Sequence, residues 1–121
     1  MRMLRSSPWW LALILPGLAH GAIVNVAVGG PAGFAFAPAE VTVRQGDTVR
    51  FTNAGGFHNV KADDNSFEHP AEPISDPWVF DLVVSQPGDI RYFCEAHGGP
   101  GGVGMAGVVR VLDVVFADGF E

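Results

Sequence analysis

The chain contains a single cysteine, Cys94, among 121 residues. No disulfide can form within it, so a small cross-linked scaffold is excluded. Basic side chains are scarce as well, seven Lys and Arg against 13 Asp and Glu. That balance argues against nucleic acid and against an anionic membrane surface as partners. Helical periodicity is also lacking, since no segment carries it for more than a turn or two. The longest apolar run, Pro8 to Leu18, falls short of the roughly 20 residues that a membrane span needs.

That run has the layout of an export signal. Arg2 and Arg5 give a positive start, and Ala19-His20-Gly21 supplies the small residues of a cleavage site. The two arginines are not adjacent, which argues against twin-arginine export. Pro16-Gly17 and the want of a polar face argue against a buried N-terminal helix. Residues 1–21 are therefore expected to be removed, with the product periplasmic or secreted and without a membrane span. The remainder, Ala22 to Glu121, is one domain's length. It holds five basic and 13 acidic residues, a net charge of −8. The expected division is a domain over 22–115 and a C-terminal tail over 116–121.

Export places the lone cysteine in an oxidising compartment. There a thiol pairs between molecules, reacts, or binds a metal. Its neighbours point to metal. Tyr92-Phe93-Cys94-Glu95-Ala96-His97 puts a histidine three residues on, and Met105 follows in a glycine-rich stretch. His58 lies upstream in Gly55-Gly56-Phe57-His58-Asn59-Val60. One thiolate, two imidazoles and one thioether make the ligand set of a mononuclear blue-copper electron-transfer site. The expected ligands of one copper ion, cycling between Cu(II) and Cu(I), are thus His58, Cys94, His97 and Met105. Met105 also has a plainer reading, a flexible side chain plugging the core where the last strand begins.

Three further features flank this set. Asn59, beside His58, could hydrogen-bond backbone in the Cys94 loop and tie the two ligand segments together; a plain turn asparagine is the alternative. His69 reads as an exposed loop residue. The acidic side chains between Ala62 and Pro77 either steer a basic partner or simply form a hydrated loop.

The rest of the chain reads as short strands. Ile23–Val28, Val41–Arg44, Thr48–Thr52, His58–Val60, Val79–Val84, Ile90–Glu95 and Gly107–Val115 are each bounded by turn residues. Gln45-Gly46-Asp47 signals a hairpin between the second and third of these. The stretch from Ala62 to Pro77, with Pro70, Pro73 and Pro77, is expected to be an irregular loop with at most one helical turn. Alternation puts Ile90, Tyr92 and Cys94 on one face and Phe93 on the outer one. The fold class is all-β, a single-domain Greek-key β-sandwich of about seven or eight strands.

Gly46-Asp47-Thr48-Val49, His58-Asn59-Val60 and Tyr92-Phe93-Cys94-x-x-His97 with a later methionine resemble the plastocyanin/azurin group of cupredoxins. Phe34-Ala35-Phe36-Ala37-Pro38 fits the same pattern, and the resemblance covers about Ile23 to Val114. It implies a cupredoxin sandwich, the same copper ligands and the linking role for Asn59. One departure stands out, because seven residues, Gly98 to Gly104, separate His97 from Met105, and five are glycine.

The expected function is single-electron shuttling between redox partners. A copper carrier or buffer is the alternative from another class. Enzyme activity is not expected, because a Cys94–His97 nucleophilic pair would lack an orienting third residue and leave His58 and Met105 idle. The expected partner is a redox protein such as a c-type cytochrome or a copper oxidoreductase, docking transiently on a monomer near His97. Phe34, Phe57 and Pro31 are expected to form an apolar rim there, with Phe93 as a second possible route.

Overall fold

The computed structural model describes residues 21–113. The expected leader, apart from Gly21, and the expected tail lie outside them. Within the described residues the chain forms nine strands in two sheets. These are β1 (Ile23–Gly29), β2 (Phe36–Ala37), β3 (Glu40–Arg44), β4 (Thr48–Gly55), β5 (His58–Ala62), β6 (Glu68–Ile74), β7 (Val79–Val83), β8 (Gly88–Gly99) and β9 (Val103–Leu112). One sheet runs β2-β1-β4-β7 and the other β3-β9-β8-β5-β6. The sandwich stands, with nine strands where seven or eight were expected.

Alternation sets the core. In β3, Val41 and Val43 are buried while Glu40, Thr42 and Arg44 face out, as one face of a half-buried strand requires. Valines 26, 28, 49, 60, 109 and 111 join them between the sheets with Phe36, Phe51 and Tyr92. Tyr92 is fully buried and meets Phe36 and Phe51 edge-on, with centroids 4.8 and 5.0 Å away. Each such pair contributes about 0.5–1.5 kcal/mol beyond the area it buries.

Gln45-Gly46-Asp47 does not close a hairpin. β3 pairs with β9, and β4 pairs with β1 and β7, so the turn carries the chain from one sheet to the other. Asp47 fixes that crossing, because its two carboxylate oxygens accept from Ala22 N and Arg44 N, each at 2.9 Å.

Nor is Ala62 to Pro77 irregular. It contains β6, which among the described strands pairs only with β5, at His58↔Ile74, Val60↔His69 and Lys61↔Glu68. β6 is an edge strand, where prolines such as Pro70 and Pro73 remove no ladder bond on the open side. His69 is correspondingly not an exposed loop residue. It is half-buried on β6, stacked on Phe80 at 5.3 Å and edge-on to Trp78 at 5.5 Å.

Candidate metal centre

β5 begins at His58, and β8 delivers Cys94 and His97 at the same end of the sandwich. Their ligand atoms all lie within 4.8 Å of one another. Cys94 Sγ is 3.9 Å from His58 Nδ1 and 3.8 Å from His97 Nδ1. Three donors each about 2 Å from one ion would be separated by such distances. Among the described residues this is the one group of three such side chains so placed. Cys94 and His58 are buried and His97 is half-buried.

Local geometry holds each imidazole. Gly29 and Gly56 lie against the outer edge of His58, where a Cβ on either would fall 2.2 or 2.5 Å from Nε2. Both have positive φ, 70° and 104°, so glycine is needed for conformation as well as for room. A hydrogen bond to the Gly55 backbone and one from Trp78 Nε1 to the His58 carbonyl, 3.1 Å long, fix ring and main chain. Burial, then the neighbouring His97, pushes the His58 imidazole below its ordinary value. It is thereby kept neutral, the form that ligates metal. His97 is covered on one face by Phe34, stacked at 3.9 Å with ring planes 13° apart.

Asn59 does bridge the two ligand segments. Its Oδ1 accepts from Glu95 N at 2.9 Å, and its Nδ2 donates to Glu95 Oε1 at 2.9 Å and to the Pro70 carbonyl at 3.3 Å. Glu95 also pairs with Lys61 at 3.3 Å. Hydrogen bonding with Glu68 and from Asn59 holds the Glu95 carboxyl below its ordinary value, and Glu68 correspondingly above.

Met105 is 1% exposed and belongs to the core cluster. Its main chain lies against Gly98, the residue after His97, where a Cβ would come within 2.4 Å of the Met105 carbonyl oxygen. The long intervening stretch is not a loose loop. It continues β8 and β9 as a two-stranded ribbon, with Gly98↔Gly104 and Gly99↔Val103 paired.

Phe93 differs from expectation. It does lie outside the inner core cluster, yet it is only 8% exposed, so it offers no surface beside Cys94. Sequence reasoning also missed Trp78, which reaches the His58 main chain from 20 residues on, and the carboxylate of Glu95, the residue after Cys94, which accepts from Asn59.

Two imidazoles and a buried thiol whose ligand atoms lie within 4.8 Å of one another form a soft donor set suited to copper in both oxidation states. Residues 22–112 match the family model for copper binding proteins of the plastocyanin/azurin family. The chain belongs to that family. Among its plastocyanin/azurin relatives it is similar to the chloroplastic plastocyanin of Tetradesmus obliquus, 37% identical over 93 residues. That match spans 66% of this chain and 63% of the relative. Plastocyanin A/B of Petroselinum crispum is 33% identical over 91 residues, 65% of this chain and 89% of that protein. The oxidised plastocyanin of Dryopteris crassirhizoma superposes with a TM-score of 0.55 at 27% identity, covering 74% of this chain and 100% of that one. The family therefore implies one copper ion, and the donor set at His58, Cys94 and His97 fits it.

Proposed function

We propose that this protein is a monomeric carrier of single electrons, in which His58, Cys94, His97 and Met105 would hold one copper ion. Bound there, the ion supplies a Cu(II)/Cu(I) couple. The observation that carries this reading is the convergence of Cys94 Sγ with the two Nδ1 atoms. The chain's own part is to keep those donors from moving. Glycines crowd His58, Asn59 ties its segment to that of Cys94, and Phe34 backs His97. Little rearrangement is then needed when the charge of the site changes.

Burial favours electron transfer over delivery of copper. Cys94, His58 and Met105 are 0%, 2% and 1% exposed, so a recipient's ligands cannot reach them for exchange. An electron can still leave through half-buried His97. Phe34 and Phe57, 71% and 53% exposed, supply the apolar rim at which a redox partner docks. Catalysis finds little support, since a cavity of about 290 Å³ between Phe67, Leu82, Ile90 and Arg91 shares no lining residue with the donor group. Residues 1–21 act as the export signal, which sequencing the N-terminus of the secreted product reads directly.

The reading is tested by loading purified protein with copper. One equivalent of Cu(II) should give an intense blue thiolate charge-transfer band, reversibly bleached by one electron, and Cys94→Ser should abolish it. A variant that stayed blue would overturn the assignment.

A further inference from the structure

The seven residues from Gly98 to Gly104 separate His97 from Met105, and five of them are glycine. Such a sequence has weak strand preference and high freedom in isolation, yet it forms a paired ribbon with its turn at 100–102. Its base is tight. A Cβ at Gly104 would lie 2.5 Å from the His97 carbonyl oxygen, and one at Gly98 is barred by Met105. The base of the ribbon is thus packed directly against the main chain of both His97 and Met105.

The tip of the ribbon is tied down far from this base. Gly101 N donates to Asp63 Oδ2 at 2.8 Å, and Gly102 lines a cavity of about 140 Å³ with Glu40, Arg91 and Val108. The ribbon thus folds back over the outer face of the five-stranded sheet. Phe93 and Val108, 8% and 3% exposed, are buried on that face although neither belongs to the inner cluster.

Asp63 is a firm anchor. Its backbone N–H donates to the Arg91 carbonyl of β8 at 2.8 Å, and the turn after it is closed by Asn65 N to the Ala62 carbonyl at 3.0 Å. Its other carboxylate oxygen is buried without a hydrogen-bond partner, so Gly101 is the side chain's one hydrogen-bond donor among the described residues.

We propose that Asp63 is a positioning residue for the copper ligands, latching the ribbon tip and so fixing His97 against Met105. This rests on the copper-site reading. The test uses Asp63→Ala, which removes the acceptor, and Asp63→Asn, which retains one. In the copper-free protein, Asp63→Ala should shift and broaden the Met105 methyl and His97 ring resonances while Asp63→Asn leaves them in place. In the copper-loaded protein, loss of one hydrogen bond of this kind should speed copper release to a chelator about tenfold and shift the reduction potential. Asp63→Asn should stay within about twofold of the parent, as befits an acceptor of similar reach. Asp63→Ser repeats the test with a side chain too short to reach the ribbon. Unchanged resonances in Asp63→Ala, or a lowered melting temperature alone with release rate and potential untouched, would overturn the proposal, as would failure of Asp63→Asn to restore the parent's behaviour. Should the parent bind no copper, the copper-site reading falls, and the copper-free resonances still decide the latch.

Discussion

Phe34 lies flat on His97, ring centroids 3.9 Å apart, while presenting its other face to solvent. The stack restrains the one half-buried imidazole of the donor group, and it stands where a partner would make contact. Phe34→Ala should therefore loosen His97. An aromatic pair of this geometry contributes about 0.5–1.5 kcal/mol, so copper release to a chelator should rise about three- to tenfold. The blue band should persist. Unaltered release kinetics would show that the stack restrains nothing.

Asn59 is fully buried, with both ends of its amide engaged. Asn59→Ala leaves Glu95 N without its acceptor beside Cys94. Losing a part-buried hydrogen bond of this kind costs about 0.5–1.5 kcal/mol, and thermal unfolding followed by circular dichroism should register the loss. Asn59→Asp keeps the acceptor for Glu95 N but sets a second carboxylate against Glu95, so it should not restore stability.

Met105→Leu should retain both copper and colour while raising the reduction potential, because a weak axial donor that favours Cu(II) is removed. Voltammetry of the two proteins side by side decides it. An identical potential would return Met105 to the role of core filler.

Gly99 lies on the ribbon beside His97, and a Cβ there would meet only Val103, at 4.0 Å. A charged side chain fits without distorting the fold. Gly99→Asp should slow electron exchange with a c-type cytochrome and leave the copper spectrum intact. Exchange at the parent rate would move the docking face away from His97.

The donor group was legible in the sequence because its chemistry is scarce. A lone cysteine with a histidine three residues on leaves few other readings, and His58 joins once a second imidazole is sought. The failures have a common cause in tertiary placement. Pro70 and Pro73 signal a loop unless the strand that holds them sits at a sheet edge, and edge position is not written locally. Gln45-Gly46-Asp47 has the composition of a hairpin turn, but whether its flanking strands pair is settled by β1, β7 and β9, from distant parts of the chain. Phe93 alternates outward as expected and is buried all the same, 8% exposed outside the inner cluster. The bond from Gly101 to Asp63 spans 38 residues and leaves no trace in either neighbourhood.

The parallel pairing of β3 with β9 joins Glu40 to Val108 and Arg44 to Leu112. Contacts of such sequence separation form late, because a long loop must close before they stabilise anything. β9 also brings in Met105 and completes the wall behind Cys94. The thiol therefore stays open to oxidation until the last strand docks, and copper can be captured only by a nearly finished chain. The race between oxidant and β9 then sets how much of the protein ever becomes blue.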